Sequence, residues 1–445
     1  MWNRKLRYAA AIVVVFGLFL IDGWGFIAKW NLGDVEDRPI VWQQLTPGGG
    51  IVRAIVAQDA ECPIIRVNGK DYPMRRRPPA ARRAFPPRLC EFPVTPGQDV
   101  RIDDRQFTRA GRLPKKIVVL GDTGCRVTYY ERQDCNDAAE WPFAKIAKEA
   151  AKHDPDLVIH LGDYHYREAA CPDSIGGCKG SPWGDNWETW KADFFDPAAP
   201  LLATAPWILV RGNHEDCERA GAGWLHFFAP WVQDQERPDP NCRTLTPTQL
   251  IELRTGTKNE VALRILQLDT ADAESKYIDE ETYQDWTTQL DEKLEKVDSE
   301  VVSFVLLHQP LRSVPFRKGT TPICEKGRVP VNKGESLIKT CDAILGLGKK
   351  LNRLTVFSGD THAFQSIPSS SGTPNQLIVG NGGTKLDPET KFDVKEDARN
   401  RTYFDFGFMV LERSEEDGWK GQVYSAGGDL QLVCEDLSEC KKPES

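Results

Sequence analysis

The decapeptide Leu157–Tyr166, LVIHLGDYHY, is an apolar run that breaks abruptly at a glycine and an aspartate. Its β-branched and aliphatic residues predict a strand over Leu157–Leu161, and the Gly-Asp pair predicts a sharp turn at its carboxyl end. The same form recurs on both sides. Lys116–Leu120 leads into Gly121-Asp122-Thr123-Gly124, and Trp207–Arg211 into Gly212-Asn213-His214-Glu215. Val301–Leu307 ends at His308-Gln309-Pro310, and Leu354–Ser358 at Gly359-Asp360-Thr361-His362. Ala262–Leu268 is a sixth predicted strand, and helices are predicted over Trp141–Lys152, Glu280–Lys296 and Gly334–Leu351. Such alternation defines an α/β domain, placed at 113–435, with returning strands between Tyr403 and Val433 and a short tail at 436–445.

In open α/β sheets, binding sites form beyond the carboxyl ends of the strands. Five strand endings rich in Asp, Asn, His and Tyr are therefore expected to converge on one rim. These residue types offer hard oxygen donors and some imidazole nitrogen, a mixture suited to first-row divalent or trivalent ions rather than to a thiolate site. A pair of ions ~3.5–4 Å apart needs a carboxylate able to bridge them. Glycines beside the Asp and Asn let the backbone turn sharply and approach the ions.

Upstream, residues 36–110 show short apolar pieces separated by Gly, Pro and Asn-Gly signals, and predict a small β domain. Val67-Asn68-Gly69-Lys70 reads as a hairpin turn. The Arg- and Pro-rich run from Arg75 to Arg88 reads as an exposed extended loop, with contact to anionic lipid as the functional alternative. At the N-terminus, Arg4, Lys5 and Arg7 precede the apolar run Tyr8–Ile21. Residues 1–28 are accordingly expected to be a signal peptide or an uncleaved membrane anchor, and both readings stand.

Twelve cysteines, with no Cys-x-x-Cys pair, imply an oxidising compartment. Neighbour pairing would join Cys62 to Cys90, Cys125 to Cys135, Cys171 to Cys178, Cys217 to Cys242, Cys324 to Cys341, and Cys434 to Cys440. The protein is thus expected to be exported, periplasmic or secreted, either free or held by its N-terminal segment. A length of 445 residues argues for more than one core, and a net charge of −8 argues against a nucleic-acid partner.

The ordered motifs, Asp122, Gly162-Asp163, Gly212-Asn213-His214-Glu215, His308 and the closing pair Asp360 and His362, resemble the calcineurin-like metallophosphoesterase superfamily. Within it the sequence is most similar to purple acid phosphatases. The resemblance spans roughly Leu113 to Phe364 and implies a mixed β-sandwich flanked by helices. Two departures carry information. The superfamily's first motif has a His two residues after its Asp, where this chain has Gly124; purple acid phosphatases compensate with a Tyr three residues after the second Asp, and Tyr166 stands there. The last motif opens with Asp360 instead of a His, which adds negative charge and favours harder ions; this Gly-Asp-x-His form is also similar to that of PhoD-like alkaline phosphatases.

The resemblance implies two metal ions: one held by Asp122, Tyr166 and His362, the other by Asn213, His308 and Asp360, with Asp163 bridging. Iron is expected at the Tyr166 site, with Mn, Fe, Zn or Ca as the second ion. It further implies hydrolysis of a phosphorylated small molecule or other phosphoester, monoesters first, by a metal-bound hydroxide, with His214 protonating the leaving group. A phosphodiesterase and a non-catalytic metal-dependent binding module are the alternatives. His165 is a second catalytic candidate that could face substrate or solvent, whereas His160, inside a strand, is expected to be structural. Arg317, Lys318, Lys326, Arg328 and Lys333 are candidate rim cations, and Trp183, Trp187 and Trp190 could form either a stacking wall or an ordinary packed helix.

Overall fold

Alternate side chains of the strand Lys116–Leu120 enter two different layers, as the pleat requires. Ile117 and Val119 join a core shared by two sheets, while Val118 and Leu120 face a helical layer. Neighbouring strands repeat the division: Ile159 and Ile208 point inward with the first pair, and Val158, Trp207 and Leu209 with the second. Burial on both faces explains why these strands read as unbroken apolar runs.

The computed structural model describes residues 38–78, 84–230, 246–256, 260–271, 288, 292–293, 298–314, 346–369, 373–395, 401–414 and 418–443. The N-terminal segment 1–28 and the candidate rim cations between Arg317 and Lys333 lie outside them, as do nearly all of the predicted helix Glu280–Lys296 and most of Gly334–Leu351.

Two mixed sheets pack as a sandwich. The larger runs in the order Cys440–Lys441, Leu430–Cys434, Trp419–Ser425, Gly407–Arg413, Lys116–Leu120, Leu157–His160, Trp207–Leu209, Ile40–Thr46, Gly49–Val56, Arg88–Val94, Arg75–Arg76. The smaller runs Gln249–Arg254, Val261–Gln267, Val302–Leu306, Leu354–Ser358, Asn375–Val379, Phe364–Ile367, Thr402–Tyr403. Their central strands are parallel, so the strand endings named above leave each sheet on the same side as their neighbours. Ile265, Phe304 and Phe357 of the smaller sheet complete the shared core. The helix Phe143–Ala151 buries Phe143, Ile146, Ala147 and Ala150, and with Asp196–Leu202 it covers the outer face of the larger sheet.

The predicted N-terminal β residues divide between two sheets. Ile40–Thr46 pairs in parallel with Trp207–Leu209 through Gln44 and Trp207, and Gly49–Val56 and Arg88–Val94 extend that sheet outward. Ile64–Val67, Lys70–Pro73, Val100–Ile102 and Arg105–Gln106 form a small sheet of their own. Its hairpin turns at Asn68 and Gly69, both with positive φ, as an Asn-Gly turn demands. Part of the basic run departs from the expected exposed loop: Arg77 is tucked in, bonded to Glu91 at 3.0 Å and to the carbonyls of Leu225 and Ala229. Four predicted disulfides are present, Cys62–Cys90, Cys125–Cys135, Cys171–Cys178 and Cys434–Cys440. Trp187 and Trp190 are core residues of the helical layer rather than a wall beside a ligand; Trp183 is exposed. Among the described residues, no helix is long and apolar enough to cross a membrane.

Candidate metal centre

The seven predicted ligands come together. Asp122, Asp163 and Asp360 each follow a strand and a glycine, and all three adopt left-handed backbone, with φ of 56°, 60° and 64°. Aspartate tolerates that region because its short side chain can bond locally; here the turn aims each carboxylate back across the strand ends. Two glycines make this approach feasible. A side chain at Gly162, where φ is 100°, would lie 2.6 Å from His308 Nδ1, and one at Gly212 would collide with Asp163.

Atoms of Asp122, Asp163 and His308 that could ligate a metal ion lie within 4.8 Å of one another, and all three residues are buried. His308 Nε2 stands 3.2 Å from Asp163 Oδ1, 3.8 Å from Asp360 Oδ1 and 2.9 Å from the Asn213 side chain. Its Nδ1 donates to the Leu161 carbonyl at 2.8 Å, which turns Nε2 toward the cluster. On the other side, Tyr166 Oη lies 2.5 Å from Asp163 Oδ2, 3.3 Å from Asp122 Oδ1 and 2.9 Å from His362 Nε2. His362 is fixed in the same way as His308, with Nδ1 donating to the Lys385 carbonyl at 2.8 Å.

The electrostatics of this cluster call for cations. Burial, reinforced by Asp163 and Asp360, pushes the Asp122 carboxyl well above its ordinary range. Burial opposes charge on His308, yet Asp163, Asp122 and Asp360 pull its imidazole well above the usual value. Burial also brings His362 down to about 4, so it is neutral near pH 7 and free to ligate. The Asn213 amide oxygen faces only acceptors on Asp163 and His308. A cation between them turns that crowd of lone pairs into a ligand set; without one, the reversed amide would serve better. The donor set therefore fits the metal ions that its residue types suggested.

Several residues that sequence reasoning passed over hold the centre in place. The buried Glu215 carboxylate accepts from the backbone N–H groups of Asp163, Tyr164, His165 and Gly212 at 2.8–3.0 Å, clamping the second strand ending to the third. Asp193, in a π-helical turn at Lys191–Phe195, accepts from the backbone of Cys125 and Tyr166 and pairs with Arg167. Glu168 bonds His214 Nδ1 at 2.6 Å, and its carboxyl lies below its ordinary range: burial opposes this, but the bond and charge of His214 outweigh burial. Glu215 stood within a quoted motif and Glu168 two residues beyond another, but nothing local marked which amide or imidazole each would meet.

His214 holds its ring centre 3.9 Å from that of Tyr166, tilted by 39°, and sets Nε2 3.9 Å from Asp163 Oδ2. It lines a cleft of about 620 Å³ together with Asp163, Tyr166, Asn213, Asp360, His362, Arg126 and Lys385. His165 is a correction. Its Nε2 lies 3.0 Å from the Gly184 carbonyl and its ring beside Trp190, so it turns away from the cleft and supports the loop behind Tyr166. His160 is structural as expected, bonded to Thr123 and stacked on Tyr164.

The sequence profile of the calcineurin-like phosphoesterase family matches residues 115–364, more than half of the chain, and the chain belongs to that family. It is a metallophosphoesterase, a class that works through divalent metal ions. No curated protein matches the sequence. Among solved structures, the fold is similar to the purple acid phosphatase PPD1 of yellow lupin (Lupinus luteus), with TM-score 0.55 and 15% identity over 92% of this chain and 76% of that one. It is also similar to PhoD, with TM-score 0.53 and 13% identity over 91% of each chain.

Proposed function

We propose that this protein is an exported phosphatase that hydrolyses phosphate monoesters in a cleft built for two metal ions. The observation that carries the reading is the meeting of all seven ligand-capable side chains beneath a cleft whose wall includes His214. Asp122, Tyr166 and His362 would hold one ion, Asn213, His308 and Asp360 the other, and Asp163 both. Iron suits the Tyr166 side, and Mn, Fe, Zn or Ca the Asp360 side. When bound, the ions supply Lewis-acid charge and activate water.

The chain's own residues do the rest. Glu168 takes the Nδ1 hydrogen bond of His214, which leaves Nε2 as the nitrogen that faces the cleft. A proton held there is in position to pass to the departing oxygen as the P–O bond breaks. Glu215 keeps the Asp163 and Gly212 backbones from drifting apart as charge builds on the phosphoryl group. The described disulfides agree with an oxidising, extracytoplasmic compartment.

Asp360 in the closing motif, together with the PhoD-like fold, favours one second reading, a phosphodiesterase with an alkaline optimum. Metal analysis of purified protein, followed by paired assays on aryl phosphate and bis-aryl phosphate across pH, separates the two. The expected result is chelator-sensitive turnover faster on the monoester, with metal and turnover both lost in Asp163→Asn. Metal-loaded protein that turns over neither ester would refute the proposal and leave a binding module.

A further inference from the structure

The cleft contains a cation that is not a metal ligand and that no motif marked. Arg126 follows Cys125 at the start of a short hairpin and lines the cleft beside Tyr166 and His362. Its guanidinium carbon lies 5.5 Å from the centre of the Tyr166 ring, whose hydroxyl belongs to the ligand set. Among the described residues, Nε pairs with Glu131 at 2.7 Å, and neither Nη amino group donates a hydrogen bond to the protein. Two donors of a planar cation thus remain open beside the metal centre.

The surroundings hold this arginine rigidly. The Cys125–Cys135 disulfide closes the hairpin, and Val127 bridges Arg132 across it. Gln133 receives the Arg126 N–H at 2.9 Å and donates its own backbone N–H to the Arg126 carbonyl at 2.7 Å. The Gln133 side chain also donates to the Gly383 carbonyl, tying the hairpin to the segment whose Lys385 carbonyl orients His362. Glu131 is itself held by Lys385 at 3.2 Å. The pair with Glu131 and the Tyr166 ring hold the side chain while the hairpin holds its backbone, an ordering that costs a rotamer-rich arginine entropy.

The geometry points to Arg126 as a catalytic residue that binds a non-bridging phosphate oxygen and selects dianionic phosphomonoesters over diesters. A monoester dianion presents three non-bridging oxygens, so two can face metal ions while the third meets the open Nη groups of Arg126. Charge-assisted, two-pronged bonding of this kind is what guanidinium does best. A diester has two non-bridging oxygens, carries one negative charge, and must place a second organic group where the third oxygen would sit. Arg126 therefore gains nothing from a diester and crowds its extra substituent. This inference rests on the phosphoesterase reading above and decides its substrate class.

The test uses the full-length, metal-loaded protein and its Arg126→Ala and Arg126→Lys variants. Substrates are an aryl phosphate and a methyl aryl phosphate with the same leaving group, and binding of inorganic phosphate is measured by calorimetry. Losing a charged hydrogen bond to the phosphoryl group should lower kcat/KM for the monoester about 10- to 100-fold in Arg126→Ala and leave the diester within about 3-fold. Phosphate binding should weaken by a similar factor, and added guanidinium should restore monoester turnover but not diester turnover. Arg126→Lys should recover part of the monoester rate, because it restores charge without the fork. Equal losses on both substrates, with no guanidinium rescue, would show a merely structural arginine and overturn the inference. Unchanged monoester turnover and phosphate binding would overturn it as well. A wild-type protein inactive on both esters would instead refute the phosphoesterase reading itself.

Discussion

Replacing His226 with Phe should make the fold more tolerant of acid. His226 lies on the helix Gly221–Phe227, stacked on Phe85 with ring centres 5.3 Å apart and planes 14° from parallel. Burial, with the nearby Arg77 and Arg53, brings its imidazole from an ordinary 6.5 down to about 3. The buried Nε2 has no hydrogen-bond partner among the described residues, so Phe forfeits no bond at that atom and keeps the stack. The sign follows from proton linkage. Between pH 6.5 and 3 the unfolded chain binds a proton here that the folded chain refuses, so stability is full above that window and falls as pH drops through it. The difference amounts to about 2 kcal/mol at pH 5 and about 4 kcal/mol at pH 3. Urea unfolding of both proteins at pH 7 and pH 5 measures it, and the metal ligands titrate alike in each, so their contribution cancels. The wild type should lose about 2 kcal/mol more than His226→Phe over that interval. Identical pH dependence in the two would refute the linkage argument.

The remaining predictions concern the centre itself. Glu168→Gln removes the charge that orients His214, and kcat/KM should fall about 10- to 100-fold on an alkyl phosphate but far less on an aryl phosphate, whose leaving group needs no proton; steady-state kinetics on the two esters reports the difference. Iron-loaded protein should be coloured through the Tyr166 phenolate, and Tyr166→Phe should be colourless at the same iron content by absorption spectroscopy; colour that survives the substitution removes Tyr166 from the ligand set.

Much of the centre was legible because its signals are local. A β-branched run, a glycine and an aspartate adjacent in sequence already specify a strand and a tight turn; three such endings, with Gly212-Asn213 and His308 closing two further strands, constrain where the ends can go. Boundaries shifted by one or two residues where the backbone leaves the ladder for the site, as at Leu157–His160 and Trp207–Leu209. His165 was ambiguous for a physical reason: alternation places it opposite Tyr164 and Tyr166 in the chain, but the turn after Asp163 breaks the strand period.

What the sequence alone determined is the family, the α/β alternation and the four described disulfide couples, and it singled out the seven side chains that the fold brings together. Only the tertiary structure decided that the N-terminal strands continue the catalytic sheet, that Trp187 and Trp190 are core, that Glu215 and Asp193 clamp the strand endings, and that Arg126 stands open beside Tyr166. The reason is range. A strand or a turn is set by neighbours a few bonds away, whereas Gln133 meets Gly383 and His214 meets Glu168 only after segments distant in the chain have packed. No period or spacing records a carboxylate's choice among many buried amides; the folded geometry makes that choice, through which donors are left without water.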